Sequence, residues 1–365
     1  MSRLISSVGL IVLAASFAPA SVSAKELDQF TDRAAVLRYY SGGYRAIAGA
    51  PGPERVDAVL DARMTELLEA LERALASDPP RTIGERDERV REVFQHRFMP
   101  QLVTPYEEWV KHHAHVPLYK VRDKGIFGHA VDYDDARLTW YIELSPIVQV
   151  AGVLMGIDKL GHFIAQGFQY YEQLRTLPAD MPSAARYDAL RAYGHAQELG
   201  ALGVATGGVY SFADLASNWA GMTFFLALFD DVDVAGARHA RYFERTPSGG
   251  YRLVRPFHWS EYVSPDWDEV HNPAAVAERA LFDKVSANMR RRARPSSGPP
   301  TDGGSVCGSY AGDPRAFLGP HRALRPRASY ALDERASAAA PYALDVRAIC
   351  APTVLTRPRY AQLAQ

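Results

Sequence analysis

The sequence predicts a mainly α protein with little β-structure. Its centre is a three-helix unit that runs up, down and up, and its C-terminus carries a small disulfide-stapled appendage. Apolar residues recur at helical spacing in several segments, short connections separate three helical segments in the middle of the chain, and both cysteines lie near the C-terminal end. With 47% apolar and 23% charged residues, the composition is that of a globular protein.

The N-terminal residues 1–24 have the layout of a secretory signal peptide. Arg3 precedes an apolar stretch from Val8 to about Ala15, and small residues then lead to a suitable cleavage site at Val22-Ser23-Ala24. The apolar stretch is short for a membrane span, although an uncleaved anchor is the alternative. We therefore expect an exported protein, periplasmic or associated with the outer membrane, rather than an integral membrane protein.

Residues 25–294 are predicted to form the helical domain. Between Glu54 and Ser77, seven apolar residues recur at helical spacing, opposite a face of Glu, Asp and Arg. A shorter helix is expected from Glu85 to His96. Thr104-Pro105 is a typical helix start, with a capping threonine and a proline at the first helical position.

Three further helices are predicted from Asp158 to about Leu174, from Ser183 to about Leu199, and from Ser211 to Phe229. Because the connections are short, neighbouring helices should be antiparallel, so the first and third begin at the same end. The third segment approaches the length of a membrane span. It carries Asp214 and Asn218 in its first two turns, which favours a buried core helix.

This course brings polar residues from all three helices to one level. Asp158 and His162 share a helix face, as do Asp214 and Asn218, because each pair is four residues apart. His195 and Glu198 lie in the last turn of the second helix. Lys159 projects about 100° away from Asp158, so its position in the sequence does not automatically make it the counter-ion. Two glycines, Gly161 and Gly221, would allow the backbones to approach closely.

The carboxylates of Asp158, Glu198 and Asp214 would need neutralising by protonated histidines, solvent or a divalent metal. A metal set of His162, Asp214 and Glu198 would suit zinc, manganese or iron, and a bound water could attack an ester, amide or phosphoester. Without a metal, His162 beside Asp158 or Asp214 could act as a general base. The catalytic candidates are therefore His162, Asp158 and Asp214.

A purely structural interpretation stays open beside the catalytic one. Ser211-Phe-Ala-Asp214 fits a capping pattern, and Asp158 is a suitable N-cap residue. His162 could then hydrogen-bond to either aspartate, within a polar network that also includes Lys159, Asn218, His195 and Glu198. Trp267-Asp268-Glu269 could cover a site or complete a core.

The C-terminal region is predicted to be a separate, basic appendage or tail. Residues 295–304 have the composition of a linker, and residues 305–365 follow. From Arg290 onward, twelve arginines face five acidic residues, which leaves the rest of the chain near −8. We expect this tail to contact the acidic body, a membrane surface or another envelope component, and not nucleic acid. Cys307 and Cys350 are expected to pair in an oxidising compartment.

The residues Asp158-Lys159-x-x-His162-Phe163, followed by Asp214-x-x-x-Asn218-x-x-Gly221, resemble the paired pattern of VanZ-like proteins and related small envelope lipoproteins. The resemblance covers about 65 residues and implies two paired helices with a shared polar site. VanZ-like proteins are multi-spanning membrane proteins linked to glycopeptide-antibiotic resistance, whereas this chain lacks several clear spans and has long polar flanks. The resemblance transfers no activity. More loosely, the chain looks like an exported proteobacterial protein.

Two functions remain open at this point. The first is a non-enzymatic cell-envelope protein whose central helices enclose a structural His/Asp/Asn cluster. The second is a metal-dependent hydrolase that acts on an envelope lipid, phosphoester or glycan. A cleft that leads to His162 and Asp214 would favour the hydrolase, and full burial with every polar group hydrogen-bonded would favour the structural protein.

Overall fold

A computed structural model describes the helical body of the chain and one residue pair of the tail. The described residues are 53–95, 104–119, 146–200, 202–234, 237–247, 249–269, 272, 274–283, 286–287 and 342–343. This body is mainly α-helical with a few short strands, as the sequence predicted. The predicted signal peptide, the linker and the disulfide between Cys307 and Cys350 lie outside the described residues.

Three helices open the described part of the chain. They are α1 (Pro53–Ser77), α2 (Ile83–Phe94) and α3 (Pro105–His112). Thr82 caps α2 and Thr104 caps α3, because each threonine side chain accepts a hydrogen bond from the backbone N–H three residues later. The predicted start of α3, with its capping threonine and first-turn proline, is confirmed.

The central helices also match the sequence prediction, with ends within two residues of those expected. They are α4 (Asp158–Thr176), α5 (Ser183–Leu199) and α7 (Phe212–Ala227), with the short α6 (Val204–Gly207) in the connection between α5 and α7. Among the described helices, none combines the length and the apolarity needed to cross a membrane.

The pair formed by α4 and α7 is the tightest helix contact of the body. His162 contacts Asn218 near the start of the helices, and Gly167 lies against Gly221 further along, so both run in the same direction. A Cβ atom on Gly221 would overlap with the carbonyl oxygen of Phe163. The predicted close approach at Gly221 is therefore present, and it brings the side chains of the two helices into direct contact.

Helix α5 runs against the direction of α7. Tyr187, near its start, packs its ring against Trp219 in α7, whereas Glu198, in its last turn, reaches Ser211 just before α7 begins. The C-terminal end of α5 therefore lies beside the N-terminal ends of α4 and α7, as the up-down-up prediction requires.

Short strands lead into both helices of the pair. The strands are β1 (Ile147–Val150), β2 (Val153–Gly156), β3 (Val209–Tyr210), β4 (Val232–Val234), β5 (Ala237–His239), β6 (Phe243–Arg245), β7 (Tyr251–Leu253), β8 (Ala275–Val276) and β9 (Tyr342–Ala343). The pairs β1–β2, β4–β5 and β6–β7 are antiparallel hairpins, and β3, β8 and β9 form an antiparallel sheet in that order. Because β2 ends just before α4 and β3 just before α7, both helix starts are anchored.

An aromatic core lies directly below these helix starts. The ring of Phe163 lies 4.9 Å from that of Trp259 and 5.4 Å from that of Phe224, measured between ring centroids. Phe257 and Tyr262 complete the cluster, and all five side chains are buried. Such contacts stabilise through apolar burial and ring geometry. The polar residues at the helix starts therefore lie next to a closely packed apolar core.

The two helix starts differ in how they are capped. Ser211 caps α7, since its Oγ accepts the N–H of Asp214 at 3.2 Å. The interpretation of Asp158 as an N-cap is wrong, because Ile157 holds the cap position of α4 and Asp158 is the first helical residue. Capping therefore accounts for Ser211, and it leaves the carboxylates of Asp158 and Asp214 available for other contacts.

Candidate functional site

A fully buried lysine occupies the centre of the polar cluster. The Nζ atom of Lys159 lies 2.7 Å from Asp158 Oδ2, 2.5 Å from Asp214 Oδ1 and 2.7 Å from Glu269 Oε1. Burial of such charges is tolerated only when they are paired. Lys159 is therefore a counter-ion of the site, a role that helical spacing alone had left open. Its long, flexible side chain compensates for the offset between neighbouring positions on a helix.

The side chain of His162 extends from α4 to contact α7, and part of it is exposed to solvent. Its Nδ1 is 3.0 Å from Asn218 Oδ1, and its Nε2 is 3.3 Å from Asp214 Oδ2. The side chain of His162 is 16% exposed, whereas that of Asp214 is completely buried. His162 is thus the partly exposed member of this contact, and Asp214 is the buried member.

The partners of His162 define what the imidazole must carry. An amide oxygen only accepts hydrogen bonds, so Nδ1 carries a proton and donates it to Asn218. Nε2 then faces Asp214 Oδ2, an atom without a hydrogen-bond donor among the described residues. Two electron-rich atoms this close require a proton or a cation between them. Either a proton on Nε2 or on Oδ2 joins the two atoms, or both atoms bind the same cation.

Asp158, His162 and Asp214 form a group that could hold a metal ion. Each residue offers one ligand atom, and these atoms lie within 4.8 Å of one another. Two carboxylates and one imidazole are a donor set that borderline divalent metals accept. The sequence had placed Glu198 beside His162 and Asp214 as the third ligand. In the structure, Asp158 rather than Glu198 belongs to this group.

Glu198 is fully buried and binds the backbone just before α7 rather than His162. Its Oε2 accepts the backbone N–H of Ser211 at 3.2 Å. Burial raises the pKa of Glu198 well above its ordinary value, and the negative charge of Asp214 raises it further. Glu198 therefore retains its proton at pH values where ordinary glutamates are ionised.

Glu269 was not among the predicted site residues. It is fully buried and comes from the turn after a short 3₁₀-helix, Pro265–Trp267. Burial raises the pKa of Glu269 to about 7, against the opposing effect of Lys159. The sequence indicated that Trp267-Asp268-Glu269 either covers a site or completes a core, but no spacing pattern linked Glu269 to Lys159.

Two further polar groups flank the cluster. His195 is buried, and its Nδ1 hydrogen-bonds the hydroxyl of Tyr210 in β3, with the two rings nearly parallel. Tyr170, in α4, is also buried, and its pKa is raised mainly by that burial. Its hydroxyl lies so close to Gly194 in α5 that the Cβ atom of any larger residue at position 194 would overlap with it. Neither His195 nor Tyr170 belongs to the Asp-His-Asp group.

Glu107 reaches the site from the N-terminal helices. Its buried carboxylate pairs with Lys111 at 3.0 Å, and a Cβ atom on Gly161 would overlap with its Oε2. The glycine at position 161 therefore makes room for a carboxylate of α3 rather than for the α7 backbone.

The chain was also compared with known proteins. No family model, no curated protein and no solved structure matches it.

Proposed function

We propose that this chain is an exported envelope protein that binds one divalent metal ion between Asp158, His162 and Asp214 and acts as a metal-dependent hydrolase. The observation that supports it most strongly is the approach of His162 Nε2 to Asp214 Oδ2, at 3.3 Å, with no donor to Oδ2 among the described residues. A shared cation would satisfy both atoms, and would include Asp158 as the third ligand.

The charges of the cluster are compatible with a divalent ion. The carboxylates of Asp158, Asp214 and Glu269 carry three negative charges when ionised, and Lys159 carries one positive charge, which leaves an excess of two. One divalent cation would balance this excess while His162 stays neutral. Two added protons would balance it as well. Metal and protons should therefore compete for the site. The mixed nitrogen and oxygen donors suit zinc, manganese or iron.

The residues of the chain would divide the work of hydrolysis. Lys159 fixes the two aspartate ligands from the buried side, and Asn218 holds the imidazole so that Nε2 points to the ligand group. His162, being partly exposed, marks the side from which a substrate would approach. A bound divalent ion would polarise an ester, amide or phosphoester and activate water. Substrates of the envelope fit the signal peptide predicted for residues 1–24.

The basic tail supports an envelope location in the same proposal. Its excess of seven positive charges from Arg290 onward matches the acidic body and would also bind an anionic membrane surface. The pattern shared with VanZ-like proteins and small envelope lipoproteins agrees with this location.

A structural role for the cluster is the second candidate, and Lys159 is the observation that favours it. One ammonium group contacts three carboxylates and so neutralises part of the cluster without a metal. With His162 protonated, Asp214 would be paired on both oxygens. The protein would then be a non-enzymatic envelope protein with a rigid helix pair.

Elemental analysis of the purified mature protein distinguishes the two candidates. We expect one zinc, manganese or iron per chain, lost in His162→Ala and Asp214→Asn while circular dichroism shows retained folding. His258→Ala is the matched control, because His258 forms a similar contact with Asp61, 2.9 Å, on the surface. This control should keep the metal. The metal-loaded protein should hydrolyse simple esters, amides or phosphoesters, and His162→Ala should not.

Absence of metal after incubation with each of the three ions, together with unchanged thermal stability in a chelator, would contradict the hydrolase and support the structural network. Metal that remains bound in His162→Ala would place it elsewhere in the chain and would also contradict the proposed site.

A further inference from the structure

The start of α7 has the sequence of a capping box, but only half of the box is formed. Ser211 Oγ accepts the N–H of Asp214 at 3.2 Å, as the motif requires. In a complete box, the acidic residue three positions later would accept the N–H of the capping residue in return. Here that N–H donates to Glu198 Oε2 at 3.2 Å instead. A residue of α5 thus replaces Asp214 as the acceptor.

This replacement sets the direction of the Asp214 side chain. Its Oδ1 lies 2.5 Å from Lys159 Nζ and its Oδ2 lies 3.3 Å from His162 Nε2, both on α4. A carboxylate that accepted the N–H of Ser211 would have to turn back towards its own helix start. We infer that Glu198 is a positioning residue, which binds the Ser211 N–H so that Asp214 is directed at Lys159 and His162.

The surroundings of Glu198 are built to keep its carboxyl group in this place. Glu198 is fully buried in the last turn of α5, and a Cβ atom on Gly203 would overlap with its Oε2 and with the backbone carbonyl oxygens of Glu198 and Val209. Glycine at position 203 therefore lets both the backbone and the carboxyl group of Glu198 pack against it. A neutral carboxyl group accepts a hydrogen bond through its carbonyl oxygen, and a glutamine amide offers the same oxygen.

The inference deepens the proposed function, since Asp214 is one of the three proposed ligands. We expect Glu198→Ala to release the Ser211 N–H, which Asp214 then accepts, so that His162 loses its carboxylate neighbour. In the metal-free protein, the nitrogen chemical shift of His162 Nε2 should move away from its wild-type value, while the Ser211 amide stays protected from hydrogen exchange. Affinity for zinc should fall about tenfold or more.

Glu198→Gln keeps the acceptor oxygen, so it should retain both the wild-type shift and the wild-type affinity. Glu198→Met also lacks an acceptor oxygen but fills the space of the glutamate side chain, and it should change the His162 shift in the same direction as Glu198→Ala. It keeps the test decisive should Glu198→Ala fail to fold. Glu172→Ala removes a surface carboxylate of α4 and serves as the control.

An unchanged His162 shift in Glu198→Ala, or in Glu198→Met where the former does not fold, would overturn the positioning role. A change in Glu198→Gln as large as that in Glu198→Ala would overturn it as well, because the acceptor oxygen would then not matter. The chemical shift is read without metal. The inference can therefore fail while the metal site stands, and the metal site can fail while the inference stands.

Discussion

The ammonium group of Lys159 lies 2.5 Å from Asp214 Oδ1, and neither side chain is exposed to solvent. This contact joins the starts of α4 and α7 at a point where both helices also carry the proposed metal ligands. Because the same ammonium reaches Asp158 and Glu269, one positive charge organises three carboxylates from three parts of the chain. The helix pair and the site therefore depend on each other.

Replacing Lys159 by methionine should destabilise the protein strongly. Methionine is similar in length but leaves three buried carboxylates without their shared cation, which should cost about 3 to 5 kcal/mol at pH 7. Urea unfolding in the presence of a chelator measures this loss. The control is Arg73→Ala, which removes an exposed arginine 4.0 Å from Glu69 and should change stability by less than about 0.5 kcal/mol. Equal effects in both variants would contradict the role of Lys159.

Gly221→Ala should separate α4 from α7. The added methyl group would overlap with the backbone at Phe163 and Gly167, which cannot move as a side chain does, so we expect a loss of about 3 kcal/mol. Gly84→Ala is the matched control in α2, where the new Cβ would meet only Thr82 Oγ1 at 3.9 Å. That change should be neutral or stabilise by up to about 1 kcal/mol. Thermal unfolding of both variants, followed by circular dichroism, tests the difference.

The stability of the metal-free protein should depend on pH through Glu269. Its pKa is raised by burial to about 7 in the folded state, above its ordinary value of 4.5. The folded state therefore binds the proton more tightly than the unfolded state. The resulting stabilisation is complete below pH 4.5 and is lost as the pH rises from 4.5 to 7.

Glu269→Gln removes this titration. Over the same range, the difference in unfolding free energy between wild type and variant should change by about 3 kcal/mol, at about 1.4 kcal/mol per pH unit. Urea unfolding at a series of pH values with a chelator present provides the measurement. Parallel curves for the two proteins would show that Glu269 titrates alike in the folded and unfolded states.

Asn218→Ala should weaken metal binding without removing a ligand. Asn218 Oδ1 is the acceptor for His162 Nδ1 and so leaves Nε2 directed at the aspartates. Loss of such an orienting partner typically reduces metal affinity by about 10- to 100-fold. Titration calorimetry with zinc measures the affinity. Ser217→Ala, the adjacent buried residue, whose hydroxyl donates to the backbone of Asp214, should retain it. Equal affinities in the two variants would contradict the orienting role.

Helix periodicity was sufficient to predict which helices carry the site. Asp158 and His162, and likewise Asp214 and Asn218, share a face because their spacing matches one helical turn, and the structure brings all four together. The cap at Ser211 was equally readable, since it depends on residues only three positions apart. Such features follow from local backbone geometry, which a sequence specifies within a few residues.

Lys159 and Glu269 could not be assigned in the same way. At its position on the helix, Lys159 points away from Asp158. Its contacts with Asp214 and Glu269 form only because α7 and the segment after Pro265–Trp267 pack against α4. The role of Glu198 could not be assigned from the sequence either, because its partner is a backbone N–H at the start of another helix. These contacts depend on the position of whole elements rather than on spacing within one.

The sequence by itself determined the mainly helical body, the central helix boundaries, the caps at Thr104 and Ser211, and the helix faces that Asp158 shares with His162 and Asp214 with Asn218. Only the tertiary structure decided the counter-ion, the carboxylate at position 269 and the acceptor that directs Asp214. The physical reason is the range of the interactions involved. Hydrogen bonds along a helix join near neighbours in sequence, whereas buried charges must find partners wherever the folded chain excludes water.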